Sequence, residues 1–164
     1  MSSEFAPSSN DVTVKVGLIG ESQTGKTSLM VKYIEGKFDE DYIVTLGVTF
    51  MDKTIRIKNL NITFSIWDLG GQQQYLGMLP LVCNDAHALL FTFDLTRKAS
   101  LTAVKQWYRQ ARPYNKKAIP LLIGTKFDLF DQLPEAEKAD ITKQVCLRCL
   151  CVDCQLLSDR YPWK

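Results

Sequence analysis

Charge of one sign is missing from this chain: 20 basic residues meet 18 acidic ones, for a formal net charge of +2. That balance gives nucleic acid or a membrane surface no electrostatic claim as principal partner. No apolar run approaches the roughly eighteen residues that span a bilayer. Met1 to Asn10, rich in serine and carrying Pro7, lacks the basic and apolar regions of a signal peptide. The expectation is a soluble, intracellular, cytoplasmic protein. No prenylation box closes the chain, so attachment to a membrane or organelle is expected to run through another protein. The 164 residues are too few for two domains but enough for one sizeable core. Residues Met1 to Asp11 read as a disordered lead-in.

What is present is concentrated early. Gly20-Glu21-Ser22-Gln23-Thr24-Gly25-Lys26-Thr27 fits the phosphate-binding pattern G-x-x-x-x-G-K-[ST]. It lies between an alternating, then apolar, run (Val14, Val16, Leu18, Ile19) and a helical one (Leu29, Met30, Tyr33, Ile34, with Gly36 as the stop). The glycines let successive amides turn inward, and those amides meet the positive end of a helix. Lys26 can reach the terminal phosphates, and the Thr27 hydroxyl can ligate a metal. A nucleoside triphosphate with Mg²⁺ is the ligand class this spacing implies.

Further along, Val48 to Ile57 and Ile62 to Trp67 read as strands joined by a hairpin at Lys58-Asn59-Leu60-Asn61. Ala88 to Phe93 is an uninterrupted apolar run, as a parallel strand buried on both faces requires. Leu101 to Tyr114 has helical spacing (Leu101, Val104, Trp107, Tyr108, Ala111) with Ser100 as N-cap, and Pro120 to Gly124 reads as another buried strand. Strands alternating with helices predict an α/β, doubly wound, mostly parallel sheet with its ligand at the strands' carboxyl ends. His87 and the methionines read as core.

Two downstream clusters narrow the ligand. Trp67-Asp68-Leu69-Gly70-Gly71-Gln72 ends a strand with a carboxylate suited to hold magnesium through water. It continues with Gly71, bare enough to approach a γ-phosphate, and Gln72, placed to orient a water. Thr125-Lys126-Phe127-Asp128 follows another strand and is similar to the guanine-reading motif [NT]KxD, in which Asp128 accepts from the ring N–H and amino group of guanine. Taken singly, Asp68 can also be read as a helix cap and Gln72 as a solvated loop residue. Three clusters in this order, each at a strand end, favour one shared site.

On those residues the chain resembles the Ras superfamily of small GTPases over roughly Val12 to Gln144, within a P-loop NTPase or small G-protein fold. Thr45-Leu46-Gly47-Val48-Thr49-Phe50 is similar to the switch I segment of the Rab-like branch. The runs Trp67 to Tyr75 and Thr125 to Phe130 resemble the fungal septum-promoting, mitotic-exit subfamily. The resemblance implies GTP binding and hydrolysis to GDP. Nucleotide contacts would come from Gly20, Glu21, Ser22, Gln23, Thr24, Gly25, Lys26, Thr27, Ser28, Thr45, Asp68, Gly71, Thr125, Lys126 and Asp128. Mg²⁺ would be held by Thr27, Thr45 and Asp68, with catalysis by Gln72, Lys26 and Thr45. It also implies a monomeric switch at the spindle pole body, turned off by a two-part GTPase-activating complex and signalling to an effector protein kinase. The exchange factor is not named by the sequence.

Several positions depart from the family pattern. Ser22 replaces a common glycine near where an activator's arginine must approach. Thr125 replaces asparagine, removing one loop-tying amide. Val82 stands where Rab proteins carry an effector-reading tyrosine. Arg97, beyond the fourth strand, is not placed as a cis arginine. After Ile141-Thr142-Lys143-Gln144 the usual last strand and helix are missing, which predicts lower stability and a weaker hold on guanine. Instead 145–164 is cysteine-rich, with Cys146, Cys149, Cys151 and Cys154 spaced C-x-x-C-x-C-x-x-C. Translated intron is one reading of this tail. Structural zinc is the weaker one, since a single intervening residue leaves little room to close a tetrahedron, and in a reducing compartment free thiols are expected. A non-hydrolysing pseudo-GTPase that sequesters regulators is the rival reading of function.

Overall fold

The computed structural model describes residues 11–38 and 44–151, with side chains through Val145. The lead-in before Asp11, the tail after Cys151 and the four clustered cysteines' side chains lie outside the described residues. Five strands form one sheet: β1 (Asp11–Gly20), β2 (Val48–Ile57), β3 (Leu60–Leu69), β4 (Ala88–Asp94) and β5 (Ile119–Thr125). Their order is β2-β3-β1-β4-β5, with β2 antiparallel to β3 and the other pairings parallel. The helices are α1 (Lys26–Glu35), α2 (Leu79–Cys83), α3 (Lys98–Ala111), α4 (Phe127–Phe130) and α5 (Glu135–Cys151), with a 3-10 turn at Gln73–Met78 before α2.

Each face of the sheet has its own apolar layer. On one, Met30 of α1 packs with Leu18 and Ile66, joined by the half-buried Ile34. Leu29 and Tyr33, predicted for the same stripe, are largely exposed, because a ten-residue helix on a twisted sheet buries a narrow face. The other layer is larger and joins α2, α3 and β4 through Leu79, Val82, Phe91, Leu101, Val104 and Trp107. Truncating a core side chain like Trp107 costs about 3–5 kcal/mol. In β4 the predicted double-sided burial holds from Leu89 to Asp94, with only Leu90 half-exposed.

Other local expectations change. The hairpin closes over Lys58 and Asn59 alone, with Ile57 paired to Leu60 and Lys58 at φ 56. No residue of β5 is fully buried, since it is the edge of the described sheet and Ile119 is 62% exposed. Ser100 is not the N-cap of α3. The helix starts three residues earlier, where Arg97 N–H bonds Asp94 O, so Arg97 is the N-cap and the buried Ser100 hydroxyl accepts from Asp94 N–H at 2.9 Å. His87 is exposed and accepts from the Lys15 amide at Nδ1 (3.1 Å), because it falls in the turn before β4. Of the described methionines only Met30 is core; Met51 is half-buried and Met78 exposed. Cys83 is a free, fully buried thiol, pushed up to about 11 by burial. Helix α5 crosses the 144/145 position without a break; Ile141 is buried and Val145 packs against the larger layer.

Candidate nucleotide site

Parallel register brings the carboxyl ends of four strands together: Gly20 lies beside Thr92, Leu18 beside Asp68, and Asp94 beside Thr125. The loop between β1 and α1 grows from this edge. A Cβ on Gly20 would stand 2.4 Å from Thr92 O, so the strand can turn here only as glycine. Gln23 at φ 63 and Gly25 at φ 79 are both left-handed, which curls the chain into the amide nest an anion requires. Thr24 is fully buried; its hydroxyl donates to Glu21 O at 2.8 Å and lies 3.1 Å from the Thr92 hydroxyl. Ser22, Thr27 and Ser28 are half-buried along the loop and the first turn of α1.

Lys26 is 5% exposed, and its ammonium donates to Gly20 O (2.9 Å) and Glu21 O (2.7 Å). Burial draws its pKa down to about 8, against the opposing pull of Asp68 and Glu21. The lysine is therefore held at the loop, desolvated, with its charge incompletely compensated by protein.

Three oxygen-bearing side chains meet beside it. Thr27 Oγ1 donates to Asp68 Oδ2 and lies 2.6 Å from Thr45 Oγ1, which is itself 3.4 Å from the same carboxylate oxygen. Asp68 is fully buried, and its other oxygen, Oδ1, has no partner among the described residues. Burial raises the Asp68 pKa, opposed by Thr27, Lys26 and Thr45. A buried, half-satisfied carboxylate flanked by two hydroxyls fits a hard divalent cation such as Mg²⁺, which binds through one or two carboxylates plus water and phosphate. Among the described residues no three His, Cys, Asp or Glu side chains gather, so a carboxylate-only or thiolate cage is not on offer.

The segment after β3 closes over the phosphate loop. Gly70 N–H bonds Gly47 O at 2.8 Å, linking it to the Thr45-bearing segment. A Cβ on Gly71 would lie 2.2 Å from Ser22 N and 2.3 Å from the Glu21 carbonyl carbon, so only glycine permits this approach. Gln72 is half-buried, but its side-chain oxygen accepts from Gln74 at 2.9 Å instead of pointing to the Lys26–Asp68 cluster.

The base-reading candidates adjoin the loop from the other side. The Thr125 hydroxyl lies 2.7 Å from Thr24 O and 3.0 Å from Phe93 O. The tie expected to be lost with asparagine is therefore made by a hydroxyl, which has one proton for two carbonyls. Lys126 is left-handed (φ 59) and its ammonium pairs with the buried Asp94 carboxylate at 2.6 Å. Asp128 is exposed in α4, with Phe127 (54%) and Leu129 (47%) exposed on either side.

A model of the Ras family matches residues 15–150. The chain is 62% identical over 135 residues to Septum-promoting GTP-binding protein 1 of Schizosaccharomyces pombe, covering 82% of this chain and 68% of that one. It is 33% identical to GTP-binding protein ypt5 of the same yeast (85% and 68% covered) and 30% identical to Ras-related protein SEC4 of Saccharomyces cerevisiae (80% and 62% covered). The chain belongs to the Ras family. It is thus a small GTPase by kinship, of a family that binds guanine nucleotide, and it spans about two thirds of these relatives' lengths.

Within this Ras-family site, sequence reasoning missed the loop from Asp94 to Arg97. Its Asp94 pairs with Lys126, its Leu95 N–H bonds Thr125 O at 3.1 Å, and the Arg97 guanidinium donates to Ser22 O at 2.6 Å. Arg97, not expected to act as a cis arginine, lies at the phosphate loop on the Ser22 carbonyl, because the turn closed on Asp94 O folds it back over the strand ends. The available signal was position: Asp94-Leu95-Thr96-Arg97 directly follows a buried strand at the edge where ligands bind.

Proposed function

We propose that this chain is a GTP-hydrolysing molecular switch that promotes septation, acting through a protein kinase cascade at mitotic exit. The observation carrying the switch reading is the buried meeting of Thr27, Thr45 and the half-satisfied Asp68 beside Lys26. In this reading Lys26 neutralises charge on the phosphates, and Thr27, Thr45 and Asp68 hold Mg²⁺. That ion, when bound, supplies positive charge to the phosphate oxygens. Amides from Gly20 to Ser28 cradle the phosphate tail, while Thr125, Lys126 and Asp128 receive the guanine. Thr45 and Gly71 meet the γ-phosphate and order their loops, which hydrolysis then releases. Gln72 orients the attacking water after exchanging its Gln74 partner for it. An arginine supplied in trans by a two-part activating complex raises turnover by about 10⁵-fold, the gain associated with an activator acting on Ras. The septation role is drawn from the name of the 62% identical Schizosaccharomyces pombe relative; the kinase effector, a monomeric state and the spindle pole address complete the proposal.

A non-hydrolysing binding module is the second reading, favoured by the engagement of Gln72 with Gln74. Single-turnover phosphate release from GTP, with and without an arginine-supplying activator, separates the two. Release accelerated by the activator supports the switch, and none under either condition supports the module. Displacement of a fluorescent guanine nucleotide by ATP as readily as by GTP would refute the guanine assignment.

A further inference from the structure

Arg97 belongs to neither the phosphate-loop nor the base-loop motif, yet its guanidinium lies against the phosphate loop. Its terminal nitrogen donates to the Ser22 carbonyl at 2.6 Å, and its Nε is buried without a partner among the described residues. Because the peptide unit is planar, fixing the Ser22 carbonyl toward Arg97 turns the Gln23 N–H the opposite way, away from α3. Gln23 is also a non-glycine residue held at φ 63, a left-handed conformation that needs local support. The same four-residue loop grips the base side through Asp94 and Lys126 and through Leu95 N–H on Thr125 O. Resting on the guanine-nucleotide reading above, we propose that Arg97 is a positioning residue. It holds the 22–23 peptide so that the amide nest stays formed, and thereby sets how long a guanine nucleotide stays bound.

The effect is on the phosphate end, so it is independent of the base. The test measures release of GDP and of IDP, whose base lacks the guanine amino group, from the full chain and from Arg97→Ala, Arg97→Lys and Asp94→Asn. Arg97→Ala is expected to release both nucleotides about tenfold faster, the worth of a charged hydrogen bond, leaving their ratio unchanged. Arg97→Lys, which keeps a cationic donor, should return within about threefold of the parent, whereas Asp94→Asn should shrink the GDP-to-IDP difference. Release from Arg97→Ala within about twofold of the parent overturns the proposal. So does a fall in the GDP-to-IDP difference as large as that of Asp94→Asn, which would mark general loosening, or an Arg97→Lys as fast as Arg97→Ala. A parent chain that holds neither nucleotide defeats the functional reading itself, and this inference with it.

Discussion

The two halves of the site are built differently. On the phosphate side Thr24 and Asp68 are fully buried, Lys26 nearly so, and the loop is tied by the Thr24 and Lys26 bonds and by the close contacts at Gly20 and Gly71. On the base side Asp128, Phe127 and Leu129 face solvent, and the anchors include Lys126 on Asp94, the Thr125 hydroxyl and Leu95 N–H on Thr125 O. The contrast follows from the sheet. The phosphate loop leaves β1, which has a strand on each side, whereas the base loop leaves β5, the edge of the described sheet. A centre strand can bury a charge among fixed carbonyls; an edge strand offers half as many neighbours. The phosphate half should therefore carry affinity, and the base half selectivity.

The harshest way to break this contrast is Lys26→Ala. Removing one buried charge partner costs about 2–5 kcal/mol, a loss of about thirtyfold or more in affinity for GDP. Equilibrium titration with a fluorescent GDP checks it, and affinity within about threefold of the parent would mean the buried lysine holds nothing. Asp128→Asn should act more gently and differently. Exchanging an acceptor for a donor opposes the guanine amino group and suits xanthine, which carries a carbonyl there. GDP should weaken by about 1–3 kcal/mol while XDP gains on it; competition between the two that leaves their ratio unmoved would remove Asp128 from the base pocket.

Much of the phosphate half was legible in the sequence, and little of the bracket around it. Gly20 to Thr27 and Asp68 are readable because each role belongs to a local pattern at a strand end, and the apolar runs of β1 and β4 give those ends away. The Arg97 contact with Ser22 spans 75 residues, and nothing local marks it. The bond between Gln72 and Gln74 was not legible for a different reason: the donor to the Gln72 side-chain oxygen is only two residues on, but no motif announces that pairing. Ser100 looked like a cap because serine before an apolar stripe usually is one, yet the turn closed by Arg97 on Asp94 took that place. β5 has the composition of a buried strand, but burial depends on what lies beyond its outer edge.

The charge state of Lys26 sharpens the comparison through pH. In the folded chain burial makes it give up its proton near pH 8, while an unfolded lysine keeps its proton to about 10.5. Between those values the unfolded state binds more protons, so stability of the nucleotide-free chain should rise with pH, by at most about 1.4 kcal/mol per unit. Lys15, lowered by burial, adds in the same direction. Cys83, pushed from 9.0 up to about 11, works oppositely above pH 9, leaving the clearest rise between about pH 8 and 9. Saturating GDP should flatten that rise, because phosphate beside Lys26 keeps it charged. Urea unfolding with and without nucleotide reads this directly. A flat nucleotide-free profile would mean that Lys26 is solvated.

The smallest expected effect tests whether the two halves communicate at all. The Thr125 hydroxyl lies within reach of Thr24 O and Phe93 O but has a single proton, so it can satisfy one carbonyl at a time. Thr125→Ala removes that bond and should speed GDP release about fivefold, the equivalent of about 1 kcal/mol. Thr125→Asn supplies two amide protons, enough for both carbonyls at once, and should slow release below the parental rate. The order Ala, then parent, then Asn is the signature of a strut between β5 and the phosphate loop, because side-chain volume alone would place both variants on the same side of the parent. If all three release GDP at one rate, the base loop is held by the Asp94–Lys126 pair and the Leu95 N–H on Thr125 O without the hydroxyl, and the strand-edge argument for its looseness loses its structural basis.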